Sequence, residues 1–182
     1  MAEPRVLRGL LVAAAVLAAA VPAHGASLGG TVSDVVDGDT IKVVSRGFET
    51  PVRLIGIDTP ETRAPGVVVQ CFGPAASRRL ANLLPLGSRV ILVTDPTQDV
   101  RDRYGRLLAY VYRPGSKGPA GSVNWSLVRS GHAKVYVYGG VRFRHAVPFF
   151  RAQNRARRAD AGLWGPPCHG DTEKPDPSAR RR

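Results

Sequence analysis

The chain has few cysteines, few aromatic residues and few acidic residues. Of its 182 residues, two are cysteine, 7% are aromatic and 14 are Asp or Glu. Two cysteines are too few for a disulfide-framework miniprotein, and they lack the spacing of a zinc site. The 26 basic residues give a net charge of +12, which makes a polyanion the first partner to consider. Because 22 of these residues are arginine, a coding bias of the host genome is an alternative explanation for the excess.

Long hydrophobic runs are also lacking. Arg5 and Arg8 precede an uncharged run at residues 9–21. As a helix this run would extend only about 20 Å, against roughly 30 Å for the hydrocarbon core of a bilayer. Together with the small residues Ala23 and Gly25, the pattern predicts a secretory signal peptide over 1–25, with an uncleaved membrane anchor as the alternative. We therefore expect a protein secreted to the extracellular or periplasmic space, with no stable membrane association after cleavage.

Export would place Cys71 and Cys168 in an oxidising compartment, where disulfides form and persist. We therefore expect these two residues to pair, although two free thiols are the alternative. A disulfide between them would close a loop of about a hundred residues, which is long enough to stabilise the fold substantially.

Residues 27–165 predict a domain built mainly of β-strands. Apolar and β-branched residues predict five strands, at 30–36, 40–44, 51–57, 89–94 and 107–112. Amphipathic patterns predict three helices, at 73–84, 123–129 and 145–161. The short connections favour an antiparallel barrel or sandwich. The element order fits a five-stranded OB-fold barrel with three helices, an α+β fold that is mainly β.

The C-terminal residues 169–182 differ in composition from this domain. They contain two prolines, many charges and no large apolar side chain. Because such a segment cannot bury an apolar face, we expect a flexible basic C-terminal tail.

The acidic residues are concentrated at turns beside the first three predicted strands. Asp37, Asp39, Asp58 and Glu61 are four of the 14 acidic residues in the chain. Because Ca²⁺ binds carboxylate and carbonyl oxygens, such a cluster could hold that ion. Asp-Gly-Asp and Asp-Thr-Pro are also common turn formers, so ordinary turn chemistry is the alternative.

Arginines accompany these carboxylates. Arg53 lies five residues before Asp58, and Arg106 follows the sequence Asp-Arg-Tyr-Gly at 102–105. Guanidinium groups bind phosphoryl oxygens through paired hydrogen bonds and would stabilise the transition state of phosphodiester hydrolysis. Glu61 is the nearest candidate for the base that deprotonates an attacking water. Surface salt bridges are the alternative role for the arginines, and spacing alone does not show that they converge with Glu61.

Three longer motifs occur in the chain, namely Asp-Gly-Asp-Thr-Ile at 37–41, Val-Arg-Leu-Ile-Gly-Ile-Asp-Thr-Pro-Glu-Thr at 52–62, and Asp-Arg-Tyr-Gly-Arg-Leu-Leu-Ala-Tyr-Val-Tyr at 102–112. Together they resemble the staphylococcal nuclease (thermonuclease) family. Shorter matches at 73–77, 123–128 and 162–164 extend the resemblance to about 28–165. Several separated motifs in the same order are far more specific than any one of them. The resemblance implies an OB barrel with three helices, in agreement with the strand and helix pattern.

The resemblance also implies an activity. The family hydrolyses the 5′ P–O bond of DNA and RNA and leaves 3′-phosphate and 5′-hydroxyl ends. By position, Asp39 and Asp58 would bind Ca²⁺ through their carboxylates, and Thr59 would bind it through its carbonyl oxygen. We therefore expect a secreted, calcium-dependent, sugar-nonspecific endonuclease that acts as a monomer.

The catalytic and substrate-binding roles follow from the same matches. Glu61 would activate or orient the attacking water, Arg53 would contact the phosphate, and Arg106 would stabilise the transition state and the leaving oxygen. Tyr104, Tyr136 and Tyr138 resemble the aromatic residues that flank the bound nucleotide in the family, with barrel packing as their alternative role. The segment that follows Tyr138 is one residue shorter than in the type member of the family. This difference could shift the tyrosine assignments.

Two other functions fit part of the sequence. A noncatalytic module could use the same barrel to bind nucleic acid or a protein, but it predicts the loss of Arg53, Glu61 or Arg106, and all three are present. A cationic protein that binds acidic polymers of the cell wall would explain the charge and the signal peptide. It gives no reason for the set Asp39, Asp58 and Glu61.

Overall fold

A computed structural model of the protein describes residues 27–62 and 68–178. The signal peptide predicted over 1–25 lies outside these residues. Within them, no helix combines the length and the apolar character that crossing a bilayer requires.

The described residues form seven strands and four helices. The strands are β1 (Ser27–Val35), β2 (Thr40–Ser45), β3 (Phe48–Leu54), β4 (Ile57–Asp58), β5 (Arg89–Val93), β6 (Leu107–Tyr112) and β7 (Lys134–Val135). The helices are α1 (Gly73–Leu83), α2 (Gly118–Gly121), α3 (Val123–Arg129) and α4 (Ala146–Arg158), and two short 3-10 turns occur at Tyr138–Gly140 and Gly162–Trp164. The five long strands and the three long helices are the predicted ones, with small shifts at their ends.

Five strands close into a barrel in the order β1-β2-β3-β6-β5, so the predicted OB-type barrel is confirmed. Four of its neighbouring strand pairs are antiparallel. The pair β3–β6 is parallel, with Val52 opposite Leu107, and here the expected antiparallel arrangement is wrong. The reason is that the connection from β3 to β6 contains α1 and β5. After this long connection, β6 runs in the same direction as β3.

The core lies inside the barrel and beneath the helices. Alternate residues of β2, Ile41 and Val43, are buried, as are Val52 and Leu54 of β3, because successive side chains of a strand point to opposite faces. Helix α1 buries Ala76, Leu80 and Leu83, whose spacing places them on one helical face. The Ser122 hydroxyl caps α3 by accepting a hydrogen bond from the Trp125 N–H at 3.1 Å.

Two small features were not predicted from the sequence. Strands β4 and β7 form a separate two-stranded sheet, with Ile57 opposite Val135 and Asp58 opposite Lys134. Helix α2 is a single turn that leads into α3. The small sheet matters for function because it holds the chain at Asp58 in a defined position.

The C-terminal segment is attached to the domain near the start of α1. The predicted disulfide between Cys71 and Cys168 is present. Of the tail predicted over 169–182, residues 169–178 are described, and they run beside the segment that precedes α1. The Cys71 N–H donates to the Lys174 carbonyl at 2.7 Å, and the Asp176 N–H donates to the Val69 carbonyl at 2.8 Å. Backbone hydrogen bonds rather than apolar side chains therefore hold this segment.

Candidate active site

Arg53 joins two carboxylates at one end of the barrel. Its Nη1 forms an ion pair with Asp39 Oδ1, and its Nη2 donates to Asp58 Oδ1 at 2.9 Å. The same Nη2 lies 3.1 Å from the carbonyl oxygen of Ile57. The Arg53 side chain is 17% exposed and that of Asp39 is 3% exposed. Contacts with three acceptors in a half-buried setting fix the guanidinium in one orientation.

The buried carboxylate of Asp39 also connects β2 to the end of β4. Its Oδ2 accepts hydrogen bonds from the Thr59 N–H at 3.0 Å and from the Thr59 hydroxyl at 3.1 Å. Its Oδ1 accepts one from the Thr40 hydroxyl at 3.0 Å. A buried carboxylate needs such partners to remain charged, and these contacts hold the segment at Thr59 against the start of β2.

Arg106 is held by a residue that the sequence analysis did not select. The Arg106 Nε donates to Asp102 Oδ2 at 2.6 Å, and the Arg106 N–H donates to Asp102 Oδ1 at 3.0 Å. Burial raises the pKa of the Asp102 carboxyl, but the hydrogen bonds from Arg106 and from the Tyr104 N–H outweigh burial, so this pKa lies below its ordinary value. Asp102 therefore stays charged and orients Arg106. The sequence signal for it was the Asp-Arg-Tyr-Gly turn, in which the Asp side chain caps its own loop.

Glu61 lies in the loop that follows β4 and is half-buried. Its Oε1 accepts a hydrogen bond from the Thr62 N–H at 2.9 Å. Its backbone is paired with Gln70, because the Glu61 N–H donates to Gln70 Oε1 at 2.7 Å and the Gln70 N–H donates to the Glu61 carbonyl at 2.9 Å. These two hydrogen bonds hold the backbone of Glu61 on both sides of its Cα atom.

These side chains surround one open cavity of about 450 Å³. It is lined by Asp37, Asp39, Arg53, Asp58, Thr59, Pro60, Glu61, Tyr104 and Arg106. The structure thus brings together the three residues predicted to be catalytic, the three predicted to bind metal, and one of the three tyrosines. This convergence is what spacing in the sequence could not show.

Asp37 also lines the cavity, although the sequence analysis named it only as a member of the acidic cluster. Burial raises the pKa of its carboxyl, the positive charge of Arg53 opposes that rise, and the nearby carboxylate of Glu61 adds to it. The net pKa is above the ordinary value. The Oδ1 atom of Asp37 accepts a hydrogen bond from the Asp39 N–H at 3.0 Å. The Asp-Gly-Asp sequence was the signal, and it marked Asp37 as part of an acidic cluster without separating its role from that of Asp39.

The three tyrosines are exposed, which excludes packing inside the barrel as their role. Tyr104, Tyr136 and Tyr138 are 66%, 46% and 63% exposed. The Tyr136 and Tyr138 rings are 6.5 Å apart and do not line the cavity. Arg103 donates to the Tyr104 hydroxyl at 2.6 Å, and this hydrogen bond is the main cause that raises the pKa of the Arg103 guanidinium. The contacts thus join Arg103 to Tyr104 and place Tyr136 beside Tyr138.

The carboxylates of the cavity offer oxygen ligands to a divalent cation. Within residues 27–62 and 68–178, no group of three or more His, Cys, Asp or Glu side chains has the arrangement of a metal centre. Asp39 and Asp58 nevertheless contact the same guanidinium, that of Arg53, and both line the cavity. Thr59 is hydrogen-bonded beside them. An all-oxygen donor set of this kind fits Ca²⁺, which completes its coordination with carbonyl oxygens and water.

Comparisons with known proteins agree with this geometry. The family model described as "Staphylococcal nuclease homologue" matches residues 51–166. The chain is 35% identical over 133 residues to the thermonuclease of Staphylococcus intermedius, covering 73% of this chain and 74% of that protein. It is 36% identical over 159 residues to the micrococcal nuclease of Shigella flexneri, covering 85% and 83%.

A relative from Bacillus subtilis (strain 168) is a longer protein. The chain is 43% identical over 109 residues to endonuclease YncB. The aligned segment covers 59% of this chain and 48% of that protein. The chain therefore spans about half the length of this relative. The family model extends from the second half of β3 to just beyond the second 3-10 turn and includes the cavity residues from Arg53 onward. The chain belongs to the staphylococcal nuclease family.

Proposed function

We propose that the protein is a calcium-dependent nuclease that hydrolyses phosphodiester bonds of DNA and RNA and leaves 3′-phosphate and 5′-hydroxyl ends. The observation that carries this proposal is one cavity lined by Arg53, Glu61 and Arg106 together with Asp39 and Asp58. The nucleases among its relatives support the same reaction class. A nucleic-acid substrate also accounts for the net charge of +12.

The two arginines would bind the scissile phosphate and stabilise the charge that develops on it. Arg106 uses its Nε for Asp102, its Nη1 lies 3.4 Å from the Thr40 hydroxyl, and its side chain lines the cavity. The Arg53 guanidinium would donate hydrogen bonds to a phosphoryl oxygen as well as to the carboxylates of Asp39 and Asp58. Because a guanidinium does not lose its proton in proteins, this positive charge does not depend on pH in the working range.

Glu61 would act as the general base. Its carboxylate would accept a proton from the attacking water and orient that water toward the phosphorus. Ca²⁺ held by Asp39, Asp58 and the Thr59 carbonyl would supply Lewis-acid polarisation of the phosphoryl oxygen. The exposed surface of Tyr104, Tyr136 and Tyr138 would stack on bases, which suits a substrate of varied sequence.

The test is release of acid-soluble nucleotides from denatured DNA and from RNA, with Ca²⁺ and with Ca²⁺ chelated. We expect release that requires Ca²⁺ and that falls by about 10²–10⁴-fold in Glu61→Gln. The matched control is Glu49→Gln, because Glu49 is exposed and pairs only at the surface, 3.5 Å from Lys42. Product ends that support primer extension only after phosphatase treatment would establish the 3′-phosphate.

Two results would contradict the proposal. A folded wild-type protein that binds DNA in Ca²⁺ without cleaving it would favour the noncatalytic module. Equal activities for Glu61→Gln and Glu49→Gln would reject Glu61 as the base.

We also propose that the protein is exported and acts as a monomer. The residue pattern of 1–25 supports export, and so does the Cys71–Cys168 disulfide, because such bonds persist in oxidising compartments. Mass spectrometry of the protein recovered outside the cytoplasm should show an N-terminus near residue 26, and light scattering should give the mass of one chain. An intact N-terminus in the membrane fraction would instead indicate an uncleaved anchor.

A further inference from the structure

Gln70 connects the backbone of Glu61 to the C-terminal segment. Its side-chain Oε1 accepts the Glu61 N–H at 2.7 Å, and its side-chain Nε2 donates to Glu173 Oε2 at 3.2 Å. Its own N–H donates to the Glu61 carbonyl at 2.9 Å. One glutamine side chain therefore contacts the backbone of the proposed base with its oxygen and a carboxylate with its nitrogen. That carboxylate lies 103 residues later in the chain.

Glu173 determines which way the Gln70 amide faces. An amide has one end that accepts hydrogen bonds and one end that donates them, whereas an ionised carboxylate only accepts. The end of Gln70 that faces Glu173 must therefore be the NH₂ group, and the carbonyl oxygen must face the Glu61 N–H. The reversed amide would place two donors against each other at Glu61 and two acceptors against each other at Glu173, so Glu173 adds to the preference for the orientation that Glu61 needs.

The C-terminal segment that carries Glu173 is fixed on both sides of Gln70. Residue 70 forms a β-bridge with Pro175, and the next residue, Cys71, is bonded to Cys168. The Phe72 N–H donates to Asp176 Oδ2 at 2.9 Å, and Asp176 is buried. These contacts hold Glu173 at a constant position relative to the loop of the proposed base.

The start of α1 supports the same loop from another direction. A Cβ atom at Gly73 would lie 2.9 Å from the Glu61 carbonyl oxygen and 2.8 Å from Thr62 Cγ2. Such distances are too short for a carbon atom, so only glycine permits this approach. The backbone of Glu61 is therefore confined between the helix start and the Gln70 side chain.

We propose that Gln70, oriented by Glu173, is the positioning residue of Glu61, and that the C-terminal segment is thereby a working part of the site. The inference rests on the proposed nuclease function for its kinetic consequence. A displacement of the base by about 1 Å can cost on the order of 10²-fold in rate. Because Gln70 does not line the cavity, its loss should leave the binding of substrate and Ca²⁺ intact.

The first test compares Gln70→Met with Gln98→Met. Methionine keeps the length of the side chain and removes the amide. Gln98 is half-buried like Gln70, and its amide donates to the backbone carbonyls of Thr97 and Val141. For Gln70→Met we expect kcat to fall by about tenfold or more, with KM for DNA and the Ca²⁺ requirement within about twofold of wild type. Gln98→Met should match wild type. A wild-type kcat in Gln70→Met would overturn the proposal.

The second test asks whether Gln70 acts through Glu61. In a Glu61→Gln background, Gln70→Met should cause no further loss of kcat, because the group that it positions is already gone. An equal loss in both backgrounds would overturn the proposal and indicate a general structural role. Glu173→Ala should also lower kcat, by a smaller factor than Gln70→Met. If Gln70→Met does not fold, Glu173→Ala takes its place in this test, and a wild-type kcat in it would overturn the proposal.

The third measurement does not depend on activity. Hydrogen exchange of the Glu61 amide, followed by NMR, should be slow in wild type and in Gln98→Met and at least tenfold faster in Gln70→Met, because the acceptor Oε1 is lost. An inactive wild-type protein with this pattern would reject the nuclease proposal while retaining the contact. An active protein whose Glu61 amide exchanges equally fast in all three forms would reject the positioning role alone.

Discussion

The Cys71–Cys168 disulfide allows a quantitative prediction for the double variant Cys71→Ala/Cys168→Ala. The two residues are 97 positions apart in the chain. In the chain-entropy model, a cross-link that closes a loop of about a hundred residues stabilises the native state by about 4–5 kcal/mol at 25 °C. Both cysteines are buried, so alanine avoids placing an unpaired hydroxyl in the interior. The loss should therefore come chiefly from the freed unfolded chain.

The assay is urea unfolding of three forms, namely oxidised wild type, wild type reduced with dithiothreitol, and the double variant. We expect the last two to agree with each other and to lie about 4–5 kcal/mol below the first. The dependence of the unfolding free energy on urea should also become steeper, because an unfolded chain without the cross-link exposes more surface. Dithiothreitol added to the double variant is the control and should change nothing.

Two results would refute this reasoning. A loss below about 1 kcal/mol would show that the unfolded chain is not restricted by the cross-link in the way that the entropy model requires. A large difference between reduced wild type and the double variant would show that the alanine substitutions, rather than the missing bond, determine the effect.

Three further predictions concern buried and half-buried groups. Asn124→Ala should destabilise the fold by about 2–4 kcal/mol, because the buried Asn124 amide bonds to three backbone groups at 2.9, 3.0 and 3.2 Å. Gly56→Ala should cost about 2–4 kcal/mol, because Gly56 has φ +76° and an added Cβ would lie 2.6 Å from the Phe143 ring. The unfolding free energy should also fall as the pH is lowered from 7 to 5. Burial, the largest cause, lowers the pKa of His132 and of His145, so the unfolded chain binds more protons below its ordinary histidine pKa of 6.5.

Each of these has a matched comparison. Asn154→Ala replaces an exposed asparagine on α4 and should stay within about 0.5 kcal/mol of wild type in urea unfolding. Gly47→Ala keeps the cost of a positive φ, +83° at Gly47, but meets no atom within 4 Å, so a loss equal to that of Gly56→Ala would reject the ring clash. For the histidines the comparison is between wild type and His132→Gln, which should flatten the dependence of the unfolding free energy on pH.

The sequence predicted the barrel well because its strands are short and bounded by local signals. The Asp-Gly-Asp turn at 37–39 ends β1 and begins β2, and the strand that contains Val52 and Leu54 shows the alternation of a half-buried strand. The helix starts have local signals too, such as Ser122 before α3. The candidate site residues were found by the same local motifs, since Asp39, Thr59 and Glu61 stand in turns of distinctive sequence.

Features that depend on distant parts of the chain were not predictable in this way. Strands β4 and β7 have two residues each, which is too short for a periodic pattern, and each exists only because Ile57 meets Val135 across the fold. The contact of Gln70 with Glu173 joins residues whose separation in sequence carries no signal. The C-terminal segment has no apolar face to reveal that it is attached, because its bonds are made by the backbone and by Asp176.

The position of the site nevertheless follows from a local feature, the hairpin between β2 and β3. Arg46 and Gly47 both have positive φ, 51° and 83°, as a two-residue hairpin turn requires. This turn sets Ser45 opposite Phe48, and the register then places Thr40 opposite Arg53. A slip of one residue would turn Arg53 to the other face of the sheet and away from Asp39. The chemistry at one end of the hairpin is therefore fixed by backbone geometry at its other end.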